Sequence, residues 1–343
     1  MKYSFKNDYS EGCHPCILVA LMRTNFSQQN GYGLDDYCAE AEKLILQKAN
    51  APHSKVHFVS GGTQANLIVI SSILKPHESV ISAHTGHIFT NETGAIEATG
   101  HKVHGVETLD GKLKPKDIQN ILDIHTNIPH QVKQKLVYIS NSTEVGTIYT
   151  KKELEELSQF CKEKNLYLFM DGARLGHALT AQSNDITWED IAKLTDVYYL
   201  GGTKNGALLG EAIVINNKVL QEEFGFHLKQ KRAMLAKGRL LGIQFQELLK
   251  DDLYWDLAKH ANTQAMKIKE AFKEIEAEFL ADTDTNQIFP ILENSKIEKL
   301  SEHFDFYIWK KINNEKSAIR IITSWATYNA VVENFCNEIL KLK

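Results

Sequence analysis

The sequence has no apolar run long enough to cross a membrane and no block of basic residues. A membrane-spanning helix needs about 20 apolar residues in succession, so we expect no membrane partner. The net charge of −4, without a basic block, argues against nucleic acid as the main partner. The first residues, Met1 to Asp8, contain no apolar signal region, so we expect a cytoplasmic protein. Five cysteines, an odd number, are typical of reduced thiols.

The 343 residues, 43% of them hydrophobic, are enough for a globular protein of two or three domains. Candidate strands and helical patterns alternate, which predicts an α/β fold with a mostly parallel seven-stranded sheet and helices on both faces. The candidate strands are His57–Ser60, Val80–Ala83, Lys102–Val106, Leu136–Ser140, Leu166–Met170, Val197–Leu200 and Ala212–Ile215. The helical patterns between them are Thr63–Leu74, Thr90–Thr99, Pro115–Ile124, Lys152–Lys164 and Trp188–Leu194.

The pattern divides the chain into three parts. Residues 1–35 are expected to be a loop-like N-terminal arm, and residues 36–250 a large domain that starts with a helix over 36–50. Residues 251–343 are expected to be a small C-terminal α+β domain. Long helices are predicted over Asn217–Leu249 and Trp255–Phe279, strands over Gln287–Leu292, Asp305–Trp309 and Ala318–Thr323, and a closing helix over Ala326–Leu342.

Lys204 lies where a short apolar run meets a glycine turn. The run Val197–Leu200 is typical of a buried strand, and Gly201 and Gly202 end it. Burial at such a turn lowers the pKa of a lysine and makes its neutral amine a nucleophile toward a carbonyl. Our hypothesis is that Lys204 holds pyridoxal phosphate as a Schiff base. A solvated loop lysine is the alternative interpretation, and this stretch alone favours it.

A second motif, residues 61–66, follows the candidate strand His57–Ser60 and opens a helix. In open α/β sheets, ligands bind at the carboxyl ends of the strands. Small residues such as Gly62 let backbone N–H groups approach a phosphate, and the helix N-terminus adds partial positive charge. The alternative is an ordinary helix start that is capped by Thr63.

Asp171 ends the apolar run Leu166–Met170 and is followed by Gly172, Ala173 and Arg174. A carboxylate after such a run is costly unless it has a partner. One candidate partner is a protonated pyridine nitrogen, which the carboxylate would keep charged so that the ring accepts electrons. An ion pair with Arg174, or a helix cap, is the alternative.

Two further clusters could indicate metal or redox chemistry. His84, His87, His101 and His104 lie close in sequence but on different predicted elements, so we expect no metal site. A histidine in the first pair could instead stack on a flat ring. The segment Cys13–Cys16 has the CxxC form, but no second pair completes a zinc site, and we interpret it as coincidence.

Together these motifs resemble the threonine aldolase/β-eliminating lyase family of pyridoxal-phosphate enzymes, which has the aspartate-aminotransferase-like fold. The matches keep the family's order over most of the chain. They are Asp8-Tyr9-Ser10-Glu11, Tyr32-Gly33-Leu34-Asp35, Ser60 to Asn66, His87-Ile88-Phe89 with Glu92-Thr93-Gly94, Asp171-Gly172-Ala173-Arg174, Thr203-Lys204-Asn205-Gly206, Lys237-Gly238-Arg239-Leu240 and Arg320-Ile321-Ile322-Thr323-Ser324.

The resemblance implies a role for each matched residue. Lys204 is expected to carry the cofactor, Asp171 to face its ring nitrogen and His87 to stack on the ring. The phosphate is expected on Gly62 and Thr63 and, from a neighbouring subunit, on Arg232 and Arg239. Arg174 and Arg320 are expected to bind the substrate α-carboxylate, and Arg174 is also expected to contact the cofactor. Ser10, Tyr32 and Thr143 are expected to be further substrate-binding residues. Shared sites imply a homodimer or homotetramer.

Some of these residues have simpler interpretations. Arg320 lies in an apolar run and could be a solvent-facing residue of an edge strand. Arg232 and Arg239 lie on a basic helical stretch and could belong to a solvated face. Ser10 and Tyr32 could belong to ordinary loop packing.

The implied reaction is cleavage of the Cα–Cβ bond of a β-hydroxy-α-amino acid, such as L-threonine or L-allo-threonine, to glycine and an aldehyde. Two departures bear on it: Thr143 and Ser324 stand where we align family histidines. We therefore expect a water near His87 or Thr143 to take the β-hydroxyl proton. β-Elimination, transamination and racemisation on the same scaffold are the alternatives.

Overall fold

A computed structural model of the chain describes residues 2–343. The strands are β1 (Tyr3–Ser4), β2 (Lys55–Val59), β3 (Glu78–Ala83), β4 (Val103–Val106), β5 (Lys133–Ser140), β6 (Tyr167–Asp171), β7 (Val197–Gly201), β8 (Glu211–Ile215), β9 (Glu278–Phe279), β10 (Gln287–Ile288), β11 (Pro290–Glu293), β12 (Phe304–Asp305), β13 (Tyr307–Lys311) and β14 (Lys316–Ile322). The helices are α1 (Pro15–Thr24), α2 (Asp36–Lys48), α3 (Gly62–Ile73), α4 (His87–Thr90), α5 (Pro115–Asp123), α6 (Lys151–Glu163), α7 (Leu175–Leu179), α8 (Trp188–Leu194), α9 (Lys218–Gln221), α10 (Phe224–Gln230), α11 (Arg239–Leu249), α12 (Leu253–Glu274), α13 (Asn294–Ser301) and α14 (Asn329–Leu340), and a 3₁₀ turn covers Glu97–Thr99.

The central feature is a seven-stranded sheet with the strand order β2-β8-β7-β6-β5-β3-β4. Neighbouring strands run parallel except at β8, which is antiparallel to both β2 and β7. Three of its strands, β3, β7 and β8, are buried along their whole length. Strands that are covered on both faces consist of continuous apolar runs rather than alternating ones. The predicted mostly parallel sheet is confirmed.

Helices cover both faces of this sheet. Successive side chains of a strand point to opposite faces. Ile139 and Met170 accordingly belong to a core shared with α2, α6 and α11, while Tyr138 and Phe169 belong to a second core shared with α3 and α10. The predicted helical layers on both faces are therefore confirmed.

A smaller antiparallel sheet follows in the C-terminal part of the chain. Its order is β10-β14-β11-β9, and β13 also pairs with β14. This sheet packs on α12, α13 and α14 around a third core. The predicted small α+β unit is confirmed, whereas the domain boundary after residue 250 stays a prediction.

The N-terminal segment is attached to that smaller unit. Strand β1 pairs in parallel with β12, and the ring of Phe5 is fully buried in the third core. The prediction that residues 1–35 are loop-like is wrong over α1, a ten-residue helix with Pro15 in its first turn. Proline is well suited to that position because its missing N–H would have no partner there.

Three predicted helices are wrong in extent. The helix predicted over Trp255–Phe279 ends at Glu274, and β9 covers Glu278–Phe279. The stretch Asn217–Leu249 is divided into α9, α10 and α11, because Glu223 and Arg232 each adopt a φ of 58°, which a right-handed helix does not allow. Only α4 and the 3₁₀ turn lie within Thr90–Thr99 or next to it, and Thr93 has a φ of 53°.

Among residues 2–343, no helix combines the length and the apolar character that crossing a membrane requires.

Candidate active site

A cavity of about 660 Å³ opens at the carboxyl ends of the central strands. It lies between the large sheet and strands β13 and β14 of the small one. The large sheet and its loops contribute mostly polar residues, among them Ser60, Thr63, Ser140, Asp171 and Lys204, together with Gly62. The small sheet and the N-terminal segment contribute the opposite wall, which consists of Asn7, Tyr9, Tyr307, Trp309 and Arg320. This is the position where ligands bind in open α/β folds.

The first turn of α3 forms one end of the cavity. Both predicted phosphate residues, Gly62 and Thr63, line it. The residue that precedes the helix is Gly61, and no side chain caps the first N–H groups, so the alternative role of Thr63 as a cap is wrong. A Cβ on Gly62 would lie 3.1 Å from the hydroxyl of Tyr199. The uncapped N–H groups and the helix dipole suit an anion.

Asp171 is buried at the end of β6 and is held by several donors. Its carboxylate accepts hydrogen bonds from the Tyr138 hydroxyl at 2.5 Å, the Asn66 amide at 3.2 Å and the Ala173 N–H at 3.0 Å. Burial alone would raise the pKa of Asp171, but His87 and the tyrosine hydroxyls lower it below its ordinary value. The group is therefore a carboxylate that can face a cation, and it makes no ion pair with Arg174.

Lys204 is partly buried in the turn after β7 and lines the same cavity. Within residues 2–343, no hydrogen bond or ion pair engages its amine. Burial and the neighbouring Arg174 lower the pKa of Lys204, because both disfavour the charged form. A fully solvated loop lysine does not describe this environment. The amine and the carboxylate of Asp171 thus face one cavity, which fits a ring that carries a carbonyl and a basic nitrogen.

His87 is oriented by two glutamates. Its Nδ1 lies 2.9 Å from Oε1 of Glu92, whose side chain is buried, and its backbone N–H donates to Oε1 of Glu144 at 3.0 Å. Asn66 donates to Glu92 at 2.8 Å and to Asp171 at 3.2 Å. The imidazole at the cavity and the carboxylate of Asp171 are therefore linked through Glu92 and Asn66.

Arg174 lines the cavity but already has an anionic partner. Its Nε lies 2.7 Å from Oδ2 of Asp8, and its Nη2 lies 3.0 Å from Oδ1. Asp8 is fully buried and also accepts a hydrogen bond from Asn286 at 2.9 Å. Burial would raise the pKa of Asp8, but Arg174 and Lys204 lower it well below its usual range. Two of the guanidinium nitrogens are thus committed within the protein.

Arg320 lies between two aromatic rings at the mouth of the cavity. Its guanidinium carbon is 5.3 Å from the centre of the Tyr307 ring and 4.9 Å from that of Trp309. The interpretation as a solvent-facing edge residue is wrong, because β14 is paired on both sides, with β13 and with β10 and β11. Among the described residues, Arg320 Nε is buried and has no hydrogen-bond partner.

Several sequence-predicted residues lie outside the cavity of a single chain. Thr143 is buried and its hydroxyl lies 2.7 Å from that of Thr147, and its substrate-binding role stays a prediction. Ser10 is exposed and bonds to Asn7. The ring of Tyr32 is exposed, and the amine of Lys229 lies 4.3 Å from its centre.

The two arginines that were expected to reach a neighbouring subunit also lie outside this cavity. Arg239 donates to the backbone carbonyls of Thr24 and Ser27, both at 2.5 Å, and packs on the Tyr37 ring. Arg232 is exposed. Their contacts across subunits stay a prediction.

Sequence reasoning missed two acidic residues that line the cavity. Glu144 accepts hydrogen bonds from the Ser140 hydroxyl at 2.7 Å and from the His87 N–H, and burial together with Asp171 raises its pKa. Glu211 accepts from the Gly202 N–H and the Thr203 hydroxyl, and burial raises its pKa to about 8. A signal was available for Glu211, since an acidic residue at the start of an apolar strand needs a buried partner.

The histidine and cysteine clusters show no built site. Among residues 2–343, no three His, Cys, Asp or Glu side chains lie where they could hold one metal ion. The five cysteines are free thiols, and burial raises the pKa of Cys13 and Cys16. A raised pKa keeps a thiol protonated and therefore unreactive.

Comparison with known proteins identifies relatives of the chain. The sequence model of the beta-eliminating lyase family matches residues 23–295. The low specificity L-threonine aldolase of Pseudomonas aeruginosa is 34% identical over 304 residues, which are 87% of this chain and 84% of that protein. A threonine aldolase structure from Leishmania major has a TM-score of 0.97 and 48% identity, and covers 99% of both chains. An aspartate aminotransferase of Thermus thermophilus shares only the fold, at a TM-score of 0.73, with 14% identity, 100% of this chain and 92% of that one.

Proposed function

The chain belongs to the beta-eliminating lyase family, and we propose that it is a pyridoxal-phosphate-dependent aldolase that cleaves β-hydroxy-α-amino acids such as L-threonine and L-allo-threonine. The products are glycine and an aldehyde. One observation carries the proposal: the amine of Lys204 and the carboxylate of Asp171 line the same cavity, with the uncapped start of α3 at its end.

The cavity has a group for each part of the cofactor. The first N–H groups of α3, at Gly62 and Thr63, suit the phosphate. Asp171 suits a protonated ring nitrogen, His87 suits the ring face, and the partly desolvated amine of Lys204 suits the aldehyde carbon. When bound, pyridoxal phosphate accepts the electron pair of the bond that breaks at Cα.

Arg320 and Arg174 supply positive charge for the substrate α-carboxylate. A guanidinium matches a carboxylate with two parallel hydrogen bonds, which fixes the direction of the bonds at Cα. Arg174 already gives two nitrogens to Asp8, whereas Arg320 has one long hydrogen bond, from Nη2 to the Lys6 carbonyl at 3.4 Å, so Arg320 is the better placed of the two for a two-point contact.

The active assembly is proposed to be a homodimer or homotetramer in the cytoplasm. Arg232, Arg239 and Tyr32 lie outside the cavity of one chain, so they serve the site only if a second copy brings them there. Large apolar side chains are exposed on and near α1, which a second copy would cover. They are Leu18, Val19, Met22, Phe26 and Leu34.

The test is incubation of the cofactor-loaded protein with L-threonine, L-allo-threonine and L-phenylserine, followed by an assay for glycine and for the aldehyde. Glycine in equal amount to the aldehyde supports the proposal. A keto acid with ammonia, or the D-amino acid, identifies elimination or racemisation instead. No glycine from any of the three overturns the aldolase function.

A further inference from the structure

Glu144 is fixed in the cavity through only one of its carboxylate oxygens. Oε1 accepts both hydrogen bonds, from Ser140 Oγ at 2.7 Å and from the His87 N–H at 3.0 Å. Within residues 2–343, no hydrogen bond engages Oε2. The side chain is partly buried and lines the cavity, so Oε2 is left for a ligand.

The other carboxylates of the cavity are fully engaged. In Asp171, Oδ1 accepts from Ala173 and Oδ2 from Tyr138 and Asn66. In Glu211, Oε1 accepts from Thr203 and Oε2 from Gly202. Glu144 is therefore the cavity carboxylate with an oxygen that is not already bound.

Two neighbouring side chains could also accept a proton, but each has another partner or role. Nδ1 of His87 bonds to Glu92, which leaves only Nε2 as an acceptor, and this ring is proposed to stack on the cofactor. The hydroxyl of Thr143 is turned to Thr147. Burial and the negative charge of Asp171 raise the pKa of Glu144, so this carboxylate is a stronger base than an ordinary glutamate. A general base works best when its pKa lies near the operating pH.

We propose that Oε2 of Glu144 takes the β-hydroxyl proton of the substrate while the Cα–Cβ bond breaks. This inference rests on the proposed function and assigns the base that the function requires. The O–H bond breaks, its electron pair forms the second C–O bond of the aldehyde, and the proton bonds to Oε2. The Cα–Cβ electron pair stays on the Cα side, where a later proton completes glycine. Loss of the proton from Glu144 restores the carboxylate.

The test compares two reactions of one holoenzyme. Cleavage of L-phenylserine needs a base for the β-hydroxyl, whereas exchange of the glycine Cα–H for deuterium in D₂O does not. Glu144→Gln keeps Oε1 as an acceptor for Ser140 and His87 but cannot take the proton. Since general base catalysis contributes about 10²–10⁴-fold, we expect cleavage to fall at least about 100-fold. Glycine exchange, followed by NMR, and the visible absorbance of the bound cofactor should stay unchanged.

The matched control is Glu155→Gln, which makes the same change at an exposed position of α6 and should leave both reactions as in the wild type. Cleavage by Glu144→Gln at the wild-type rate would overturn the assignment. An equal fall of cleavage and exchange would also overturn it, because Glu144 would then only position His87. A wild-type protein that exchanges glycine but releases none from phenylserine would instead overturn the proposed function.

Discussion

Arg174 and Asp8 form a two-point ion pair that joins the N-terminal segment to the end of β6, with nitrogen–oxygen distances of 2.7 and 3.0 Å. Asp8 is fully buried, and its neighbours Asn7 and Tyr9 line the cavity. This pair therefore holds one wall of the cavity in place. Arg320 is the other arginine that lines the cavity.

The ion pair leads to a prediction about stability. Asp8→Asn leaves the Arg174 guanidinium without its buried counter-charge, and breaking a buried pair costs about 3–5 kcal/mol. We expect the free energy of unfolding in urea to fall by that amount. The matched control is Asp305→Asn, which removes the charge of a half-exposed carboxylate 3.7 Å from Lys6 and should cost less than about 0.5 kcal/mol. Equal losses in the two variants would contradict the prediction.

Lys204→Ala should abolish glycine release, since no other amine lines the cavity among the described residues. Borohydride treatment of the holoenzyme followed by peptide mass analysis should place the reduced cofactor on Lys204 in the wild type and nowhere in the variant. The control is Lys193→Ala, at an exposed position of α8. It should carry the reduced cofactor on Lys204 and release glycine as the wild type does. Full turnover by Lys204→Ala would refute the role of this amine.

Arg320→Lys should weaken recognition of the substrate carboxylate, because an ammonium cannot make two parallel hydrogen bonds or stack between Tyr307 and Trp309. Hydrogen bonds to charged groups contribute about 1.5–3 kcal/mol, so kcat/KM should fall roughly 10–100-fold. Inhibition by glycine should weaken to a similar degree, whereas inhibition by an amine without a carboxylate should not change. The exposed Arg23→Lys is the control, and an unchanged glycine inhibition constant in Arg320→Lys would disprove the contact.

His57 leads to a prediction about pH. Its ring packs on Phe224, and burial, with a smaller effect of Lys55, lowers its pKa to about 4. The unfolded chain binds this proton near pH 6.5 and the folded chain only near pH 4, so His57 lowers stability as the pH falls between these values. The loss should approach but not exceed about 3 kcal/mol.

His57→Phe keeps the ring but cannot bind a proton, so its free energy of unfolding in urea should fall less than that of the wild type between pH 7 and pH 4.5. His53→Gln, at an exposed position, should follow the wild type. Identical pH dependence in His57→Phe and the wild type would show that burial does not affect this histidine.

The large sheet could be predicted from the sequence because its strands are buried on both faces. Runs such as Val197–Gly201 carry no polar interruption, and their carboxyl ends locate Asp171 and Lys204 without further information. The break of the predicted helix at Arg232 could not be foreseen in the same way. A left-handed φ at a non-glycine residue is imposed by packing and leaves no clear mark in the sequence.

The sequence also could not predict which loop side chains line the cavity. Thr143 and Glu144 are neighbours in the loop after β5, yet only Glu144 reaches the cavity. The same holds for Ser10, which stays outside while Asn7 and Tyr9 line the wall. Helices and strands have a fixed period that assigns side chains to faces, and loops have none. In these two loops, motif matching therefore located the segment but not the side chain that lines the cavity.

The pairing of β1 with β12 and the burial of Phe5 have a consequence for biosynthesis. Residues 3–5 leave the ribosome long before the strands and the helix that receive them, which lie about 300 residues later in the chain. Because chains fold as they are synthesised, residues 3–5 stay unpacked until β12 and the helices of the third core have been synthesised. A ribosome stalled before residue 304 would thus display all strands of the large sheet but not Tyr307, Trp309 and Arg320, so the cavity would lack part of its lining.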